Sequence, residues 1–390
     1  MEMKRNNPCL ARLVSILVLW LCVVLAAGCG SSGQDTAGDT TPKANEDLSF
    51  MSMGSFSITE LDHGCKAVRD GAGRTLILVP RGQEPPQGYA PTQVVYTPVE
   101  RVVAYGFFDI AVLRALGVLD PVLKGVVAKE TEWFIPEVRD GMAHGRIRFL
   151  GSYNALDYEQ LRAVQPDLVL TWDMSILPMV EEMGAACAVT TTPTAMCLNA
   201  RMQFVRFLAP FFNKEAEADA YFNRISKSLN EIRRTTAEAG DMPKVMWGDI
   251  YEKRVLVEPG NAWVGELVEL AMSDYEFEDV FGKSCIEISL ERFLHSGKDA
   301  DIFFTYRTPA NGATSKAALK EANPLLAGIR PLKPVGKVYS PLAHYSQSGD
   351  RLDEILTEIS AILHPEVYPG YALKFFRELP DEDPGGGEGA

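Results

Sequence analysis

One phrase occurs twice in this chain, at 158–173 and again at 290–306. Each copy begins with a short helical stretch that carries a glutamate near its start. An aspartate follows the end of this helical stretch, and an apolar strand comes next, which ends in a threonine and an aromatic residue. Around both copies, apolar strands alternate with amphipathic helices, which is typical of βαβ units and parallel sheets. The repeat therefore predicts two similar α/β lobes, each built on a parallel sheet.

The apolar runs and their breaks locate most elements of the two lobes. A hairpin with a turn at 70–73 precedes the first lobe. In the first lobe we predict strands at 101–106, 123–128, 166–172 and 186–192, with helices at 107–118 and 178–184. In the second lobe we predict strands at 244–249, 300–306 and 336–340, with helices at 263–271, 290–296, 317–329 and 350–366.

Residues 213–240 interrupt the alternation with a single long helical pattern. Apolar residues recur there at helical spacing, no Gly or Pro lies inside, Asn213 is a plausible N-cap and Gly240 a plausible stop. At 1.5 Å per residue the helix would be roughly 39 Å long. That length suits a connection between two lobes better than a crossover within one sheet.

The N-terminus has the pattern of a lipoprotein signal. Lys4, Arg5 and Arg12 form a positive region, an apolar run follows at 13–27, and 25–29 reads LAAGC. The run is shorter than the roughly 20 residues of a spanning helix. This ending resembles a bacterial lipobox, which implies cleavage after 1–28 and lipidation of Cys29, although an ordinary signal peptide remains the alternative. Residues 29–50 are rich in Gly, Ser, Thr and Asp and predict a flexible tether.

The net charge and the cysteines limit which partners and which kinds of site the chain can have. The formal net charge is −14, which disfavours a nucleic-acid partner because phosphate binding needs clustered Lys and Arg. Beyond Cys29, the cysteines are Cys65, Cys187, Cys197 and Cys285. Cys187 and Cys197 could close a small disulfide loop, or all four could be buried thiols; their spacing does not resemble a zinc site.

Several segments together resemble a known family, the substrate-binding proteins of ABC importers for iron-siderophore, haem and cobalamin. They are DGAGRTLILVP at 70–80, ERVVAYGFFDIAVLRALG at 100–117, LGSYNALDYEQLRAVQPDLVL at 150–170, ILHPEVYPGYALKFF at 362–376 and the long middle helix. The resemblance implies two Rossmann-like lobes joined by one rigid helix, with the ligand between them. It divides the chain into an N-terminal lobe at 51–212, the interlobe helix at 213–240, a C-terminal lobe at 241–380 and a disordered tail at 381–390.

The resemblance also implies functional residues. Glu159 and Glu291, at matching places in the two copies of the repeated phrase, correspond to the glutamates that meet arginines of the permease. Ligand contacts are expected at strand C-terminal ends. The ends are aromatic here, and aromatic rings offer flat apolar area to a large chelate, while Arg307 could pair with its anionic oxygens. The expected ligand-binding residues are Tyr105, Phe107, Trp133, Trp172, Trp247, Tyr251, Trp263, Tyr306, Arg307, His344 and Tyr345.

We therefore expect a lipid-anchored, monomeric binding protein of the cell envelope that passes a metal chelate to an ABC permease and its ATPase, without a resident cofactor or metal. A ferric siderophore is the first expectation, and haem and cobalamin are alternatives. A bare Zn²⁺ or Mn²⁺ site would need three or four clustered ligands, which the scattered histidines do not suggest. An enzyme is disfavoured because no nucleophile elbow or complete phosphate-binding loop appears. A non-transport lipoprotein, such as a sensor, stays open.

Overall fold

The computed structural model describes residues 56–192, 196–251, 254–283 and 285–383. The predicted signal peptide, the lipidation site Cys29 and the tether at 29–50 lie outside these ranges, as do residues 384–390 of the predicted tail. Within the described ranges, no helix is both long and apolar enough to cross a membrane.

The helices and strands alternate along most of the chain. The strands are β1 Ser57–Glu60, β2 Lys66–Arg69, β3 Thr75–Pro80, β4 Val94–Thr97, β5 Val102–Ala104, β6 Leu123–Val126, β7 Arg148–Phe149, β8 Gly151–Ser152, β9 Ala155–Leu156, β10 Leu168–Thr171, β11 Ala186–Val189, β12 Lys244–Tyr251, β13 Arg254–Val257, β14 Asp274–Tyr275, β15 Ile286–Ile288, β16 Ile302–Thr305, β17 Lys337–Pro341 and β18 Phe376–Glu378. The α-helices are α1 Phe107–Ala115, α2 Leu119–Val122, α3 Pro136–Ala143, α4 Tyr158–Val164, α5 Leu177–Glu182, α6 Leu198–Leu208, α7 Glu215–Thr236, α8 Trp263–Leu270, α9 Leu290–Asp299, α10 Lys316–Ala322 and α11 Leu352–Leu363.

The N-terminal lobe is built on a parallel sheet with strand order β11-β10-β5-β6-β7. Every residue of β5 and β10 is buried, as expected for strands covered on both faces, so they appear in the sequence as unbroken apolar runs. A second sheet, β1-β2-β3-β4, contains the predicted hairpin between β2 and β3. The buried Asp70 carboxylate at that hairpin accepts a hydrogen bond from the Val189 amide of β11, which ties the two sheets together.

The C-terminal lobe has a mixed sheet of order β15-β13-β12-β16-β17-β18. Its centre, β12-β16-β17, is parallel as predicted. Its outer strands β13, β15 and β18 are antiparallel, which the sequence analysis did not anticipate. Tyr251 at the end of β12 pairs with Arg254 at the start of β13. The connection between these two residues is far too short for a parallel crossover, which needs about a dozen residues.

The repeated phrase corresponds to one structural unit in each lobe. Helices α4 and α9 are capped by Asp157 and Ser289, whose side chains accept backbone hydrogen bonds within the first turn. Glu159 and Glu291 are the second residues of these helices, and both are exposed. The two helices lead into the parallel strands β10 and β16, so the two lobes present an acidic helix start in the same local frame.

The aspartate in each copy of the phrase makes the same kind of hydrogen bond in its own lobe. Asp167 accepts hydrogen bonds from the backbone amides of Glu100 and Arg101, just before β5. Asp301 accepts one from the Lys244 amide at the start of β12. Each aspartate therefore fastens the start of its own strand to the neighbouring parallel strand, which explains why the residue recurs before both apolar runs.

Helix α7 connects the lobes, as predicted, but is shorter than 213–240. It spans 22 residues, or about 33 Å. Asn213 is not its N-cap: it adopts a left-handed conformation (φ 56°) that ends the preceding 3-10 turn, and Lys214 occupies the cap position. Ile225 and Leu229 are buried in a core that runs through both lobes. The two-lobe α/β fold with one connecting helix is therefore confirmed.

Candidate ligand-binding cleft

A cavity of about 290 Å³ lies between the lobes. Residues of both lobes line it, together with residues of α6: Gly106, Phe108, Asp109, Trp172, Thr190, Thr191, Thr192, Met196, Arg201, Glu258, Ala262, Trp263 and Lys283. The N-terminal lobe contributes the residues that follow β5, β10 and β11, at their carboxyl ends. Ligands of open α/β sheets bind at this edge, so the cavity is the candidate site. A larger groove of about 520 Å³ beside α4 and α5 is lined by N-terminal-lobe residues alone.

Arg201 of α6 is the central cation of the cavity. Its guanidinium lies between two aromatic rings, with Cζ 3.9 Å from the Phe108 centroid and 4.1 Å from the Trp263 centroid. Its Nε is buried without a hydrogen-bond partner, and in the described part of the chain Arg201 forms no ion pair within 4.0 Å. Burial lowers the pKa of Arg201 to about 10. Arg201 is partly buried, and its unpaired guanidinium between two ring faces is a ready partner for an anionic group.

Two glycines make the close packing around this cation possible. A Cβ at Gly349 would lie 2.7 Å from Cδ2 of Phe108 and 2.8 Å from Nη2 of Arg201. A Cβ at Gly106, which precedes α1, would lie 2.7 Å from Oδ2 of Asp109. Any larger residue at either position would displace a side chain that lines the cavity.

Two largely buried carboxyl groups face the same cavity. Asp109 in the first turn of α1 is 2% exposed, and its Oδ2 accepts a hydrogen bond from the Thr190 hydroxyl at 3.1 Å. Burial raises its pKa to about 7. Burial also raises the pKa of Glu258, against the lowering effect of the neighbouring Tyr306 hydroxyl. The cavity therefore combines the unpaired Arg201 guanidinium and the Lys283 side chain with two carboxyl groups whose pKa values burial raises.

Of the predicted ligand-binding residues, the structure brings Trp172 and Trp263 together on the cavity wall. Trp172 follows β10 and is 43% exposed. Trp263 begins α8 and stacks on Arg201 from the C-terminal lobe. Tyr345 lies behind Trp263, with ring centroids 6.4 Å apart, and its hydroxyl is buried without a hydrogen-bond partner.

The other predicted aromatics are not among the residues lining the cavity. Tyr105 is buried in the N-terminal lobe, Phe107 packs on Trp133, and the Trp133 indole donates to the Ala128 carbonyl. Trp247 is 2% exposed and stacks on Phe304, while Tyr306 is partly buried against the same core. His344 lies near Phe134 and Phe375. Their roles toward a ligand remain predictions.

Arg307 occupies a different environment from the one expected. Its Nε donates to Asp249 at 2.9 Å, its Nη2 donates to the Ile250 carbonyl, and its guanidinium lies over the Tyr251 ring. Asp249 already neutralises this charge, so Arg307 is less available to an anion than Arg201. Its predicted role as the anion partner remains untested.

Sequence reasoning missed Arg201, Asp109 and Glu258. One signal was present: α6 places Arg201 in the apolar run ARMQFVRFLAPFF at 200–212, where a cation needs a reason to lie on a buried face. Asp109 lies in an equally apolar helix, two residues after the predicted Phe107. The partners of both residues come from distant parts of the chain, so the sequence alone could not show what they face.

Among the residues that the structure describes, the remaining ionisable and sulfur-containing groups show no arrangement of a metal site. Cys65, Cys187, Cys197 and Cys285 are free thiols. In the ranges that the structure covers, no cluster of three or more His, Cys, Asp and Glu side chains could hold a metal ion. His364 is buried and its Nε2 lies 2.9 Å from the Ala271 carbonyl, which is a structural contact.

Comparison with known proteins agrees with this architecture. The model of the periplasmic binding protein family matches residues 102–339. An uncharacterised lipoprotein of Methanocaldococcus jannaschii is 26% identical over 296 residues, which are 73% of this chain and 70% of the relative. The periplasmic haem-binding protein RhuT from Roseiflexus sp. RS-1 superposes with a TM-score of 0.56 at 18% identity, covering 69% of this chain and 99% of that one. A possible iron-binding protein from Staphylococcus epidermidis gives a TM-score of 0.53 at 15% identity, covering 68% and 98%. With this family match and its two lobes around a cleft, the chain belongs to the periplasmic binding protein family.

Proposed function

We propose that this protein captures a metal chelate in the interlobe cavity and delivers it to the permease of an ABC importer, outside the cytoplasm and without chemical conversion. The observation that carries this proposal is the unpaired Arg201 guanidinium held between Phe108 and Trp263. A partly buried cation without a partner is costly in the empty protein, and an anionic ligand would offset that cost. Aromatic walls and the cationic side chains of Arg201 and Lys283 suit a chelate with anionic oxygens better than a bare metal ion.

Among chelates we expect a ferric siderophore, because carboxylate or catecholate oxygens would match the Arg201 guanidinium. Haem is the second candidate, since its carboxylate arms offer the same anion and a structural neighbour is named as a haem-binding protein. Cobalamin is a third candidate.

The decisive experiment is a calorimetric titration of the purified protein with four named probes: a ferric tris-catecholate, haemin, cyanocobalamin and Zn²⁺. We expect saturable one-to-one binding of at least one chelate, and loss of that binding in Arg201→Met. Arg206→Met is the matched control, because Arg206 lies in the same helix but stacks on Phe222 and pairs with Asp219 at the surface. Binding of Zn²⁺ alone, or of no chelate, would refute the proposal.

We further propose that Glu159 and Glu291 dock the permease. Their support is the shared position as the second residue of α4 and α9, where both residues are exposed. Reversing both to Arg should stop chelate uptake by cells and leave the dissociation constant of the chelate unchanged. The control reverses Glu137 and Glu321, which are exposed acids on α3 and α10. Uptake that survives the reversal of Glu159 and Glu291 would exclude the docking role.

We propose in addition that Cys29 carries a lipid anchor. The LAAGC segment at 25–29 and the lipoprotein named among the relatives support this. Cys29→Ala should abolish labelling by a fatty-acid analogue, whereas Cys22→Ala should not. Equal labelling of the Cys29→Ala variant and the wild type would contradict the anchor.

A further inference from the structure

We propose that residues 47–55, which precede the described part of the chain, bind along a groove formed by α6, α7 and α8, and that Asp47 pairs there with Arg233. The segment then crosses from a helix of the N-terminal lobe to a helix of the C-terminal lobe and straps the two together. This inference goes beyond the proposed function and does not depend on which ligand the cleft binds.

The groove is largely apolar and has a volume of about 440 Å³. Its large apolar residues come from all three helices: Leu198, Met202, Phe222, Leu229 and Leu270. Phe222 and Leu270 are only partly buried. Apolar grooves between packed helices bind peptide segments that present apolar side chains. The groove therefore offers such a segment a site at the junction of the two lobes.

The segment that leads into the described chain has the matching composition. Residues 47–55 read DLSFMSMGS, in which Leu48, Phe50, Met51 and Met53 are large and apolar. Residues 30–46, by contrast, contain no large apolar residue. Removing these four side chains from water is favourable, which is a reason for the segment to bind to the protein surface. The predicted tether then ends at 46 instead of 50.

The described chain begins close to one end of this groove. Phe56 packs on Phe204 and Phe207 of α6, with ring centroids 5.3 and 4.6 Å apart. Arg206, next to Phe207, lies over the ring of Phe222, which lines the groove. The residues immediately before Phe56 therefore start within one helix width of the groove.

The segment is long enough to follow the groove to its other end. From Phe222 to Arg233 the groove runs along α7 for about 17 Å, and passing around α6 adds about 10 Å. Nine extended residues span about 30 Å. Asp47, the first residue of the segment, can therefore reach Arg233 while the apolar residues behind it cover the apolar part of the groove.

Arg233 is a suitable partner for Asp47. Arg233 is exposed and, within the described ranges, forms no ion pair within 4.0 Å, whereas Arg224 of the same helix is paired. Glu266 and Glu269 line the same groove but lie beyond that distance from Arg233. A carboxylate that arrives at this end of the groove gains a charged hydrogen-bond partner, which fixes the direction of the segment.

Disulfide mapping in the full chain tests the strap. Leu48→Cys is combined with Asn230→Cys, at an exposed residue that lines the groove, in a chain that carries Cys285→Ser to remove an exposed thiol. The matched control combines Leu48→Cys with Glu231→Cys, because Glu231 is also exposed and is the next residue but is not among those lining the groove. Under mild oxidation by copper phenanthroline, mass spectrometry of linked peptides should show the 48–230 disulfide forming at least tenfold faster than the 48–231 disulfide.

A charge swap tests the direction of the segment. In the chain with cysteines at 48 and 230, Arg233→Glu should slow the disulfide severalfold because it repels Asp47, and adding Asp47→Lys should restore the rate. Far-UV circular dichroism of each variant checks that the fold is intact. Equal rates at 230 and 231, or a rate that neither charge change alters, would overturn the proposal. A disulfide that joins two chains would also overturn it, because the occupant of the groove would then be a second copy.

Discussion

At the scale of single residues, Arg201 bears a charge that the unliganded fold does not compensate. Phe108 and Trp263 cover its two faces, but ring faces replace only part of the hydration that the guanidinium loses on burial. Burial lowers the pKa of Arg201, and Tyr345, Tyr221, Glu258 and Asp109 raise it by smaller amounts, so no carboxylate near Arg201 compensates its charge as an ion pair would. An unpaired charge in this position costs stability, and such costs are common at functional sites.

The first prediction follows from that cost. Arg201→Met should leave the free energy of unfolding of the unliganded protein unchanged or raise it by about 1–2 kcal/mol, because an uncompensated buried charge is removed. The same variant should weaken chelate binding at least tenfold. Urea unfolding and calorimetry measure the two effects, with Arg201→Lys as the variant that keeps the charge but loses the planar stack. A large loss of stability with unchanged affinity would contradict this account.

The second prediction concerns Asp109. Because its folded-state pKa of about 7 lies above its ordinary value of 3.8, the folded chain binds this proton more tightly than the unfolded chain. The protonated Asp109 therefore contributes its full share to the free energy of unfolding below about pH 4. That contribution falls as the pH rises toward 7 and is absent at higher pH. Asp109→Asn should therefore resemble the wild type near pH 4 and exceed its stability at pH 8, by on the order of 3 kcal/mol.

Urea unfolding of the wild type and Asp109→Asn across this pH range tests the prediction. Asn can still accept the hydrogen bond from Thr190, so the contact within the site is retained. Asp241→Asn, at an exposed aspartate, is the control and should show no such pH-dependent difference. A constant difference between Asp109→Asn and the wild type at all pH values would show that Asp109 does not titrate in this range.

At the scale of elements, the capped helices α4 and α9 are the units that hold the exposed glutamates. The Asp157 carboxylate accepts from the amides of Glu159 and Gln160, and the Ser289 hydroxyl accepts from the Arg292 amide. Both helices are short, with 7 and 10 residues, so a lost cap affects a large share of each. The caps fix the direction in which each helix starts, and therefore where its glutamate points.

The third prediction tests these caps. Asp157→Ala and Ser289→Ala should each lower the free energy of unfolding by about 1 kcal/mol, because two helix amides in the first variant and one in the second lose their acceptor. Asp157→Asn and Ser289→Thr keep an acceptor and should lose less. If the proposed docking role is correct, the two alanine variants should also reduce uptake without changing chelate affinity. Full stability in both alanine variants would mean that water replaces the caps without cost.

At the scale of the whole molecule, a set of polar contacts connects the lobes directly. The Gln347 amide of the C-terminal lobe donates to the Glu132 carbonyl at 2.7 Å and accepts from the Phe134 amide at 2.8 Å. Nearby, Arg114 of α1 forms a two-pronged ion pair with Asp350 at 2.9 and 2.5 Å. Together with the rigid α7, these contacts favour a cleft whose lobes separate little, so the cavity is largely formed before the ligand arrives.

The fourth prediction concerns this lobe-to-lobe contact. Gln347 is 2% exposed, and Gln347→Ala leaves the Phe134 amide and the Glu132 carbonyl without partners. The free energy of unfolding should fall by about 1–3 kcal/mol. Hydrogen exchange at the Phe134 amide should accelerate, because the lobes open more often there. Gln160→Ala, at an exposed glutamine, is the control; an unchanged exchange rate in Gln347→Ala would show that the contact does not restrain opening.

The sequence by itself determined the lobes, the parallel strands at their centres, the connecting helix and the repeated unit that presents Glu159 and Glu291. These features depend on residues close together in the chain: helical or alternating spacing of apolar residues, and caps that act two or three positions away. The sequence did not predict where the connecting helix begins, because Asn213 is not its N-cap. It also did not predict the antiparallel edge strands of the C-terminal sheet, because strand pairing depends on which strands are neighbours in space.

Only the tertiary structure decided which polar and aromatic residues form the site. The sequence marked aromatic strand ends, but packing buried Trp247 against Phe304 and left Trp172 open at the cavity. The sequence also pointed to Arg307, but Arg307 is paired with Asp249. Arg201 is unpaired and lies between two aromatic rings, one 93 positions before it in the chain and one 62 positions after it. Whether a charge is paired, or a ring exposed, depends on contacts between residues far apart in sequence, and no local pattern encodes those contacts.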